Sequence, residues 1–466
     1  MLDKKVKIIA TIGPSSQSSE MIQALAEKGT DIFRINLSHA TENQLSSVVS
    51  NVRLAETKLN KHLSVLVDLP GPKIRIGSVI DGASLKIGDT LKIHYKDIQG
   101  TESDTSLNYP SILKNIAPGT IMYIDDGNIK LLAEENNNEY VRATVLVGGP
   151  LISYKGFSAE GISYTKNGVS ENDKKSIELL LKYDVDAIAI SFTQSAADVT
   201  DIKNLLPSNS TKLLIAKIET EAGVENAEEI LKVADGLMVA RGDLGLSVPF
   251  ATVPNIQKQL IKLCNKKAKP VITATQMLES MINKPLPTRA EVTDVANAII
   301  DGTDAVMLSA ETTIGKYPLE SVDTLVKIIL ETLKHSLFSE ENADIELGNA
   351  VSHAAGIIAD QINSKLIIAF TQSGVTAQRI AKYRHKQPII AASQELSTLR
   401  NLNFSWGVYP FQISKTEGFS DLRKQALEIV TKNEFVTVEK NDTYVIAAGM
   451  PFGQSGTTNM IFIDKV

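Results

Sequence analysis

The 466-residue chain is too long for one ordinary hydrophobic core, so two or three domains are expected. With 43% hydrophobic and 22% charged residues, it has the composition of an ordinary soluble globular protein. Its 48 basic and 54 acidic residues leave a net charge of −6 and no basic stripe interleaved with aromatics, which argues against nucleic-acid binding driven by bulk charge but allows an anionic substrate held by local cations.

The first apolar run, "VKIIATIG" (6–13), lies in an N-terminus that reads as a strand rather than a signal peptide. No run approaches the roughly 20 apolar residues needed to span a bilayer, so no membrane partner is expected. Seven more runs follow: "DIFRINLS" (31–38), "LSVLVDLPG" (63–71), "VDAIAISF" (185–192), "KLLIAKIE" (212–219), "DGLMVARGD" (235–243), "KPVITATQ" (269–276) and "DAVMLSAET" (304–312). Helical stretches lie between most of them, among them "SSEMIQALAEKG", with Ser18 or Ser19 as cap and Gly29 as stop. Eight continuous apolar strands, each followed by a helix, point to a parallel (β/α)8 TIM barrel. A doubly wound open sheet is the alternative, disfavoured by the eight units and by the lack of a Gly-rich dinucleotide turn after the first strand.

The third unit is interrupted. Residues 74–154 alternate with period two around turn signals such as Asp126-Gly127, which predicts a small all-β lid domain, a β-barrel, inserted between barrel segments 1–73 and 155–338. Residues 339–466 restart the pattern as a separate C-terminal α/β domain. The single cysteine, Cys264, sits mid-helix and reads as a core residue, which fits a reducing, cytoplasmic setting.

Polar residues gather at the C-terminal ends of the strand runs, where barrel sites lie. Arg34, Asn36, Ser38 and His39 close the second run. Asp68, followed by Lys73 and Arg75, closes the third, and Lys217 and Glu219 close the fifth. Arg241 and Asp243 flank Gly242, Thr275 ends the seventh run, and Ser309 and Glu311 end the eighth. Glu219 and Asp243 are hard oxygen ligands that, with substrate oxygens and water, suit Mg²⁺. The competing reading pairs them with Lys217 and Arg241. Lys217 favours an anionic group such as a phosphoryl, and Arg34 and Arg75 are cations of the kind that fork onto phosphate. "ARGDLG" can turn backbone N–H groups toward an anion, and Thr275 offers a hydroxyl for proton relay.

The segments "KIIATIGPSS", "FRINLSHA", "AKIETEAGV", "MVARGDLG", the 274–322 stretch and "SGTTN" closely resemble the pyruvate kinase family. The resemblance is strong over the barrel, patchy in the insert and moderate in the C-terminal domain. It implies a homotetrameric enzyme that transfers phosphoryl from phosphoenolpyruvate to ADP, giving pyruvate and ATP, with Mg²⁺ or Mn²⁺. Position by position, it implies Lys217 as stabiliser of the transferring phosphoryl and Glu219 and Asp243 as metal ligands. Arg34, Gly242, Asp243 and Thr275 would line the phosphoenolpyruvate site, with Thr275 and water helping to deliver the proton. Asn36, His39, Arg75 and Lys155 would contact nucleotide.

Two departures stand out. Family members that bind a monovalent cation use residues matching Asn36, Ser38 and Asp68 within a D-T-K-G-P-E-I-R pattern; here the stretch reads "DLPGPKIR". Lys73 replaces the glutamate, and its ammonium can supply the charge of a bound K⁺, so potassium-independent activity is expected. After Lys155-Gly156 the family's usual segment is absent, which affects the lid hinge. In the C-terminal domain, Thr371, Ser373, Gly374 and Thr376, with Ser455, Gly456 and Thr457, resemble a site for a phosphorylated effector; two ordinary turns are the alternative. Other functional readings are a Mg²⁺-dependent lyase or aldolase on the same barrel, or a catalytically silent metabolite sensor.

Overall fold

The eight apolar runs are buried on both faces, and a strand with no solvent face needs cover on each side. A computed structural model, describing residues 4–71, 74–161, 169–335, 346–432, 436–451 and 456–466, shows how that cover is provided. Strands β1 (Lys7–Thr11), β2 (Ile32–Asn36), β3 (Ser64–Asp68), β4 (Ala187–Ile190), β5 (Leu213–Ile218), β6 (Gly236–Ala240), β7 (Val271–Ala274) and β8 (Ala305–Leu308) close into a parallel barrel in chain order. Alternate residues such as Ile9, Leu66, Ile215 and Ile272 fill its interior, and their neighbours pack outward on the helices.

Local chemistry sets the helix ends. Ser18 accepts from the Met21 N–H at the start of helix Ser19–Lys28, and Gly29, at φ 124°, stops it in a conformation that a side chain resists. Thr288 forms a capping box with Glu291 at helix Arg289–Ile300. Cys264 is fully buried in helix Val253–Lys266, and burial pushes its thiol well above the ordinary range, as expected of a core residue.

The inserted segment has its own core and a six-stranded sheet. Asp125, Asp126 and Gly127, all at positive φ, turn the chain between strands Ile121–Ile124 and Ile129–Asn136. The sheet takes in Phe157–Ala159, which pairs with Ile121–Ile124, so it runs past the boundary at 154 drawn from sequence. Residues 74–77 pair with both edges of this sheet: the Phe157 N–H donates to the Ile74 carbonyl and the Ile76 N–H to the Lys155 carbonyl, both at 2.9 Å, while the Gly77 N–H donates to the Ser106 carbonyl at 2.8 Å and the Asn108 N–H to the Arg75 carbonyl at 3.0 Å. The C-terminal domain is a five-stranded sheet ordered β11-β10-β9-β12-β13, made of β9 (Ile367–Phe370), β10 (Ile389–Ser393), β11 (Val408–Gln412), β12 (Thr443–Gly449) and β13 (Thr458–Lys465); only the last pair is antiparallel. Among the described residues, no helix is long and apolar enough to cross a membrane.

Candidate active site

Four neighbouring strands bring the central charges together. Lys217 leaves the end of β5 into the barrel mouth and is buried. Its Nζ lies 2.9 Å from Glu219 Oε1, 3.2 Å from Asp68 Oδ2 of β3, and 2.9 Å from Ser191 Oγ just after β4. Arg34 of β2 completes the group: Nε donates to Asp68 Oδ2 at 3.1 Å, Nη2 also meets that oxygen, and Nη1 donates to Thr11 Oγ1 at 3.1 Å. Two cations thus meet two nearly inaccessible carboxylates in a setting where an unpaired charge is costly.

The titrations reflect this crowding. Burial disfavours the Lys217 ammonium, but Asp68 and then Glu219 outweigh it, so its pKa is raised and the amine stays charged. Burial likewise opposes ionisation of Asp68, yet Lys217 and Arg34 hold its carboxyl below the usual range. Glu219 goes the other way although it touches Lys217. Burial, reinforced by the charges of Asp243 and Asp68, pushes it up to about 7, against the attraction of Lys217 and the Phe192 N–H that donates to Oε2 at 2.6 Å. The lysine is shared among several carboxylates, and Glu219 keeps the smaller share.

The second half of the site follows β6 and β7. The strand reading of 235–243 is too long: β6 stops at Ala240, and Arg241–Ser247 is a short helix with Gly242 and Asp243 in its first turn. Thr275 follows β7 with φ 68°, a genuine outlier for a β-branched residue. Its hydroxyl accepts from the Gly242 N–H at 2.9 Å and donates to the Ala274 carbonyl at 2.7 Å, so its position is fixed from two sides. Arg241 is not the partner of Glu219 and Asp243. It turns away to Asp294, at 2.8 and 2.7 Å, and donates to the carbonyls of Thr275 at 2.7 Å and Gln276 at 3.0 Å, bracing the strained turn.

Glu219 and Asp243 fit a divalent cation. Burial is the main cause of the raised Glu219 pKa, with Asp243 and Asp68 adding to it, and a bound cation would favour the ionised form. Among the described residues no group of three or more His, Cys, Asp or Glu is arranged for a metal, so substrate and water would complete the shell.

The sequence matches the family description "Pyruvate kinase, barrel domain" over residues 3–322 and "Pyruvate kinase, alpha/beta domain" over residues 349–463. The chain belongs to the pyruvate kinase family. It is 40% identical to a pyruvate kinase of Geobacillus stearothermophilus over 477 aligned residues, which cover all of this chain and 81% of that protein. It is 39% identical to one from Sporosarcina psychrophila, covering 99% of this chain and 80% of the relative. Pyruvate kinase 2 of Synechocystis is 37% identical, with 100% and 80% covered.

The remaining residues that pyruvate kinase resemblance singled out form separate groups. Arg75 and Lys155 sit at the edge of the insert, where Arg75 bridges to Gly156 and its Nη1 donates to the Tyr154 carbonyl at 2.7 Å. Lys155 Nζ lies 2.7 Å from Asp125 Oδ1 in the turn between two insert strands. Ser38 and His39 are exposed after β2, and Asn36 Oδ1 accepts from the Ser38 N–H at 3.1 Å. Asp68, the third residue matched to a monovalent-cation site, is engaged by Arg34, Lys217 and the Ser191 hydroxyl, at 3.2 Å from the last. Lys73 and Ser455 lie outside the described residues. Thr371, Ser373, Thr376, Gly456 and Thr457 do converge, lining an open cavity of about 120 Å³ in the C-terminal domain together with Lys415 and Thr416. Gly374, at φ 90°, opens the following helix there, and its N–H donates to Thr371 Oγ1 at 2.9 Å.

Sequence reasoning passed over Thr11 and Ser191, which hold Arg34 and Lys217 in place. Both carry the signal used elsewhere, a hydroxyl at the C-terminal end of an apolar run. Arg241 was seen, but its bracing contact with Asp294 is made across 53 residues and leaves no local trace.

Proposed function

We propose that this chain transfers the phosphoryl group of phosphoenolpyruvate to ADP, assisted by Mg²⁺, and protonates the resulting enolate to pyruvate. The observation that carries this reading is the buried Lys217, held charged at the barrel mouth beside Glu219 and Asp68. An ADP oxygen would attack phosphorus while the bond from phosphorus to the enol oxygen breaks. Lys217 and Arg34 would stabilise charge on the transferring group, which needs positioning and positive potential more than covalent help. Glu219 and Asp243 would hold the divalent cation, which would neutralise phosphoryl charge; Mn²⁺ has the same ligand preference. The enolate then takes a proton at its methylene carbon, through water positioned by the Thr275 hydroxyl. Gly242 and Asp243 would border the substrate, and Asn36, His39, Arg75 and Lys155 the nucleotide, with the insert as a lid.

The finer parts of this reading are a Lys73 ammonium in place of a bound K⁺, a phosphorylated effector in the C-terminal cavity, a homotetramer and a cytoplasmic setting. The test is pyruvate release from phosphoenolpyruvate, ADP and Mg²⁺, with Na⁺ or K⁺ as sole monovalent cation. Equal fast rates are expected, and Lys73→Glu should make the rate K⁺-dependent. Strong activation of the unmodified chain by K⁺ removes the Lys73 argument, and no pyruvate with either ion returns the weight to a lyase or a sensor.

A further inference from the structure

The two carboxylates assigned to the divalent cation lie beyond the strand ladder. The pairing of β5 with β6 ends at Ile218 opposite Val239, and Glu219 and Asp243 both follow it. Strand register alone therefore does not fix the gap between them; contacts past the strand ends do. On the β4 side Glu219 is anchored three times. The Phe192 N–H donates to its Oε2 at 2.6 Å. Gly223 packs so closely that a Cβ there would stand 2.6 Å from the Thr193 carbonyl oxygen. Asn226 Nδ2 donates to the Gln194 carbonyl at 2.9 Å.

On the β6 side the tie is Ser247. It is the last residue of helix Arg241–Ser247, four positions after Asp243, and so lies on the same helical face one turn along. It is buried, and its Oγ accepts from the Glu221 N–H at 3.2 Å, two residues after Glu219. Its own backbone is pinned as well. The Gly161 N–H, on the chain returning from the insert, donates to the Ser247 carbonyl at 3.1 Å. Leu246 beside it meets the insert's turn, where a Cβ on Gly127 would lie 3.3 Å from Leu246 Cδ2. The hydroxyl thus acts from a fixed origin and holds the segment carrying Glu219 against the helix carrying Asp243.

We propose that Ser247 is a positioning residue for the divalent cation, setting the separation of Glu219 and Asp243 without touching the metal. This rests on the phosphoryl-transfer reading given above. A cation held by two protein carboxylates binds more tightly the more nearly they are prearranged, because any freedom left in the pair is lost on binding. Deleting the hydroxyl loosens the pair while leaving its charge and its ligands unchanged.

Mn²⁺ binding to the full chain without substrate, followed by electron paramagnetic resonance of the free ion, reads this directly. Ser247→Ala should weaken Mn²⁺ binding roughly 2- to 10-fold, the scale of one hydrogen bond, and Ser247→Thr, which keeps the acceptor, should bind as the parent does. Melting in chelator shows that each variant is folded at the temperature of the titration, where lost stability by itself leaves the affinity of the folded protein unmoved. Parent affinity in Ser247→Ala overturns the proposal, and so does an equal loss in the Ala and Thr variants, which would assign the effect to packing. Glu219→Gln should weaken Mn²⁺ binding far more than Ser247→Ala. Parent affinity in Glu219→Gln overturns the metal pair itself, and the role of Ser247 falls with it.

Discussion

The Gly242 N–H and the Thr275 hydroxyl are joined by a 2.9 Å hydrogen bond that ties the helix after β6 to the strained turn after β7. Thr275 spends its own proton on the Ala274 carbonyl, so its orientation is fixed before any substrate arrives. Thr275→Val keeps the shape and removes the hydroxyl, leaving the Gly242 N–H without this acceptor. Pyruvate formation should fall about 10²-fold or more, the scale of a lost proton-transfer group, while Thr275→Ser retains most of the rate. Steady-state turnover checks this; a Val variant within a few-fold of the parent removes Thr275 from the chemistry.

Lys217→Met preserves a long unbranched side chain and deletes the charge. Turnover should drop by about 10³-fold, in line with losing one preorganised electrostatic contact to a developing charge. The far-UV dichroism spectrum should be unchanged. Thermal stability should also fall, because Asp68 and Glu219 lose a shared cation in a buried setting. An unaltered melting temperature would mean that the ion pairs at this lysine contribute little.

Glu219→Gln tests the metal pair. The folded-state pKa of Glu219 is raised to about 7, so its ionised form weakens the fold without metal. That cost is fully present above pH 7 and fades as pH falls toward the ordinary carboxylate range. At pH 8 in chelator, the Gln variant should melt higher than the parent. Added Mg²⁺ or Mn²⁺ should then stabilise the parent and leave the variant nearly unmoved, as followed by calorimetry.

Lys7 gives a pH signature away from the site. Its Nζ donates to the Val408 carbonyl at 2.5 Å, lies 5.0 Å from the Tyr409 ring centroid, and is buried where the barrel meets the C-terminal domain. Burial pulls its pKa down to about 7, with Lys4 and Lys61 adding to the effect against the attraction of Asp31. Between pH 7 and the ordinary lysine range the unfolded chain holds a proton that the folded chain does not. Stability contributed by this group therefore rises with pH across that window, by at most about 1.4 kcal/mol per pH unit. Lys7→Met should flatten the slope of unfolding free energy from pH 7 to 9 relative to the parent, measured by denaturant titration. Parallel slopes would count against the shift.

Much of this was legible in the chain. Strands buried on both faces show as unbroken apolar runs, and those runs gave the barrel; period-two alternation marked the insert and Ser18 and Gly29 the helix ends, because each depends on neighbours a few residues apart. The charged strand ends marked Arg34, Asp68, Lys217, Glu219 and Thr275, since a polar group closing an apolar run conflicts with burial unless something holds it. Tertiary structure alone decided who holds whom. The sharing of Lys217 among Asp68, Glu219 and Ser191, the turning of Arg241 to Asp294, and the grip of Arg400 on Glu56 and Asp184 join residues from 2 to 344 positions apart. Most of those partners come from barrel closure and domain docking, and no local periodicity encodes them. The raised Glu219 pKa is a tertiary effect too, because it comes first from burial in the closed barrel and then from the charges of Asp243 and Asp68 brought close to it.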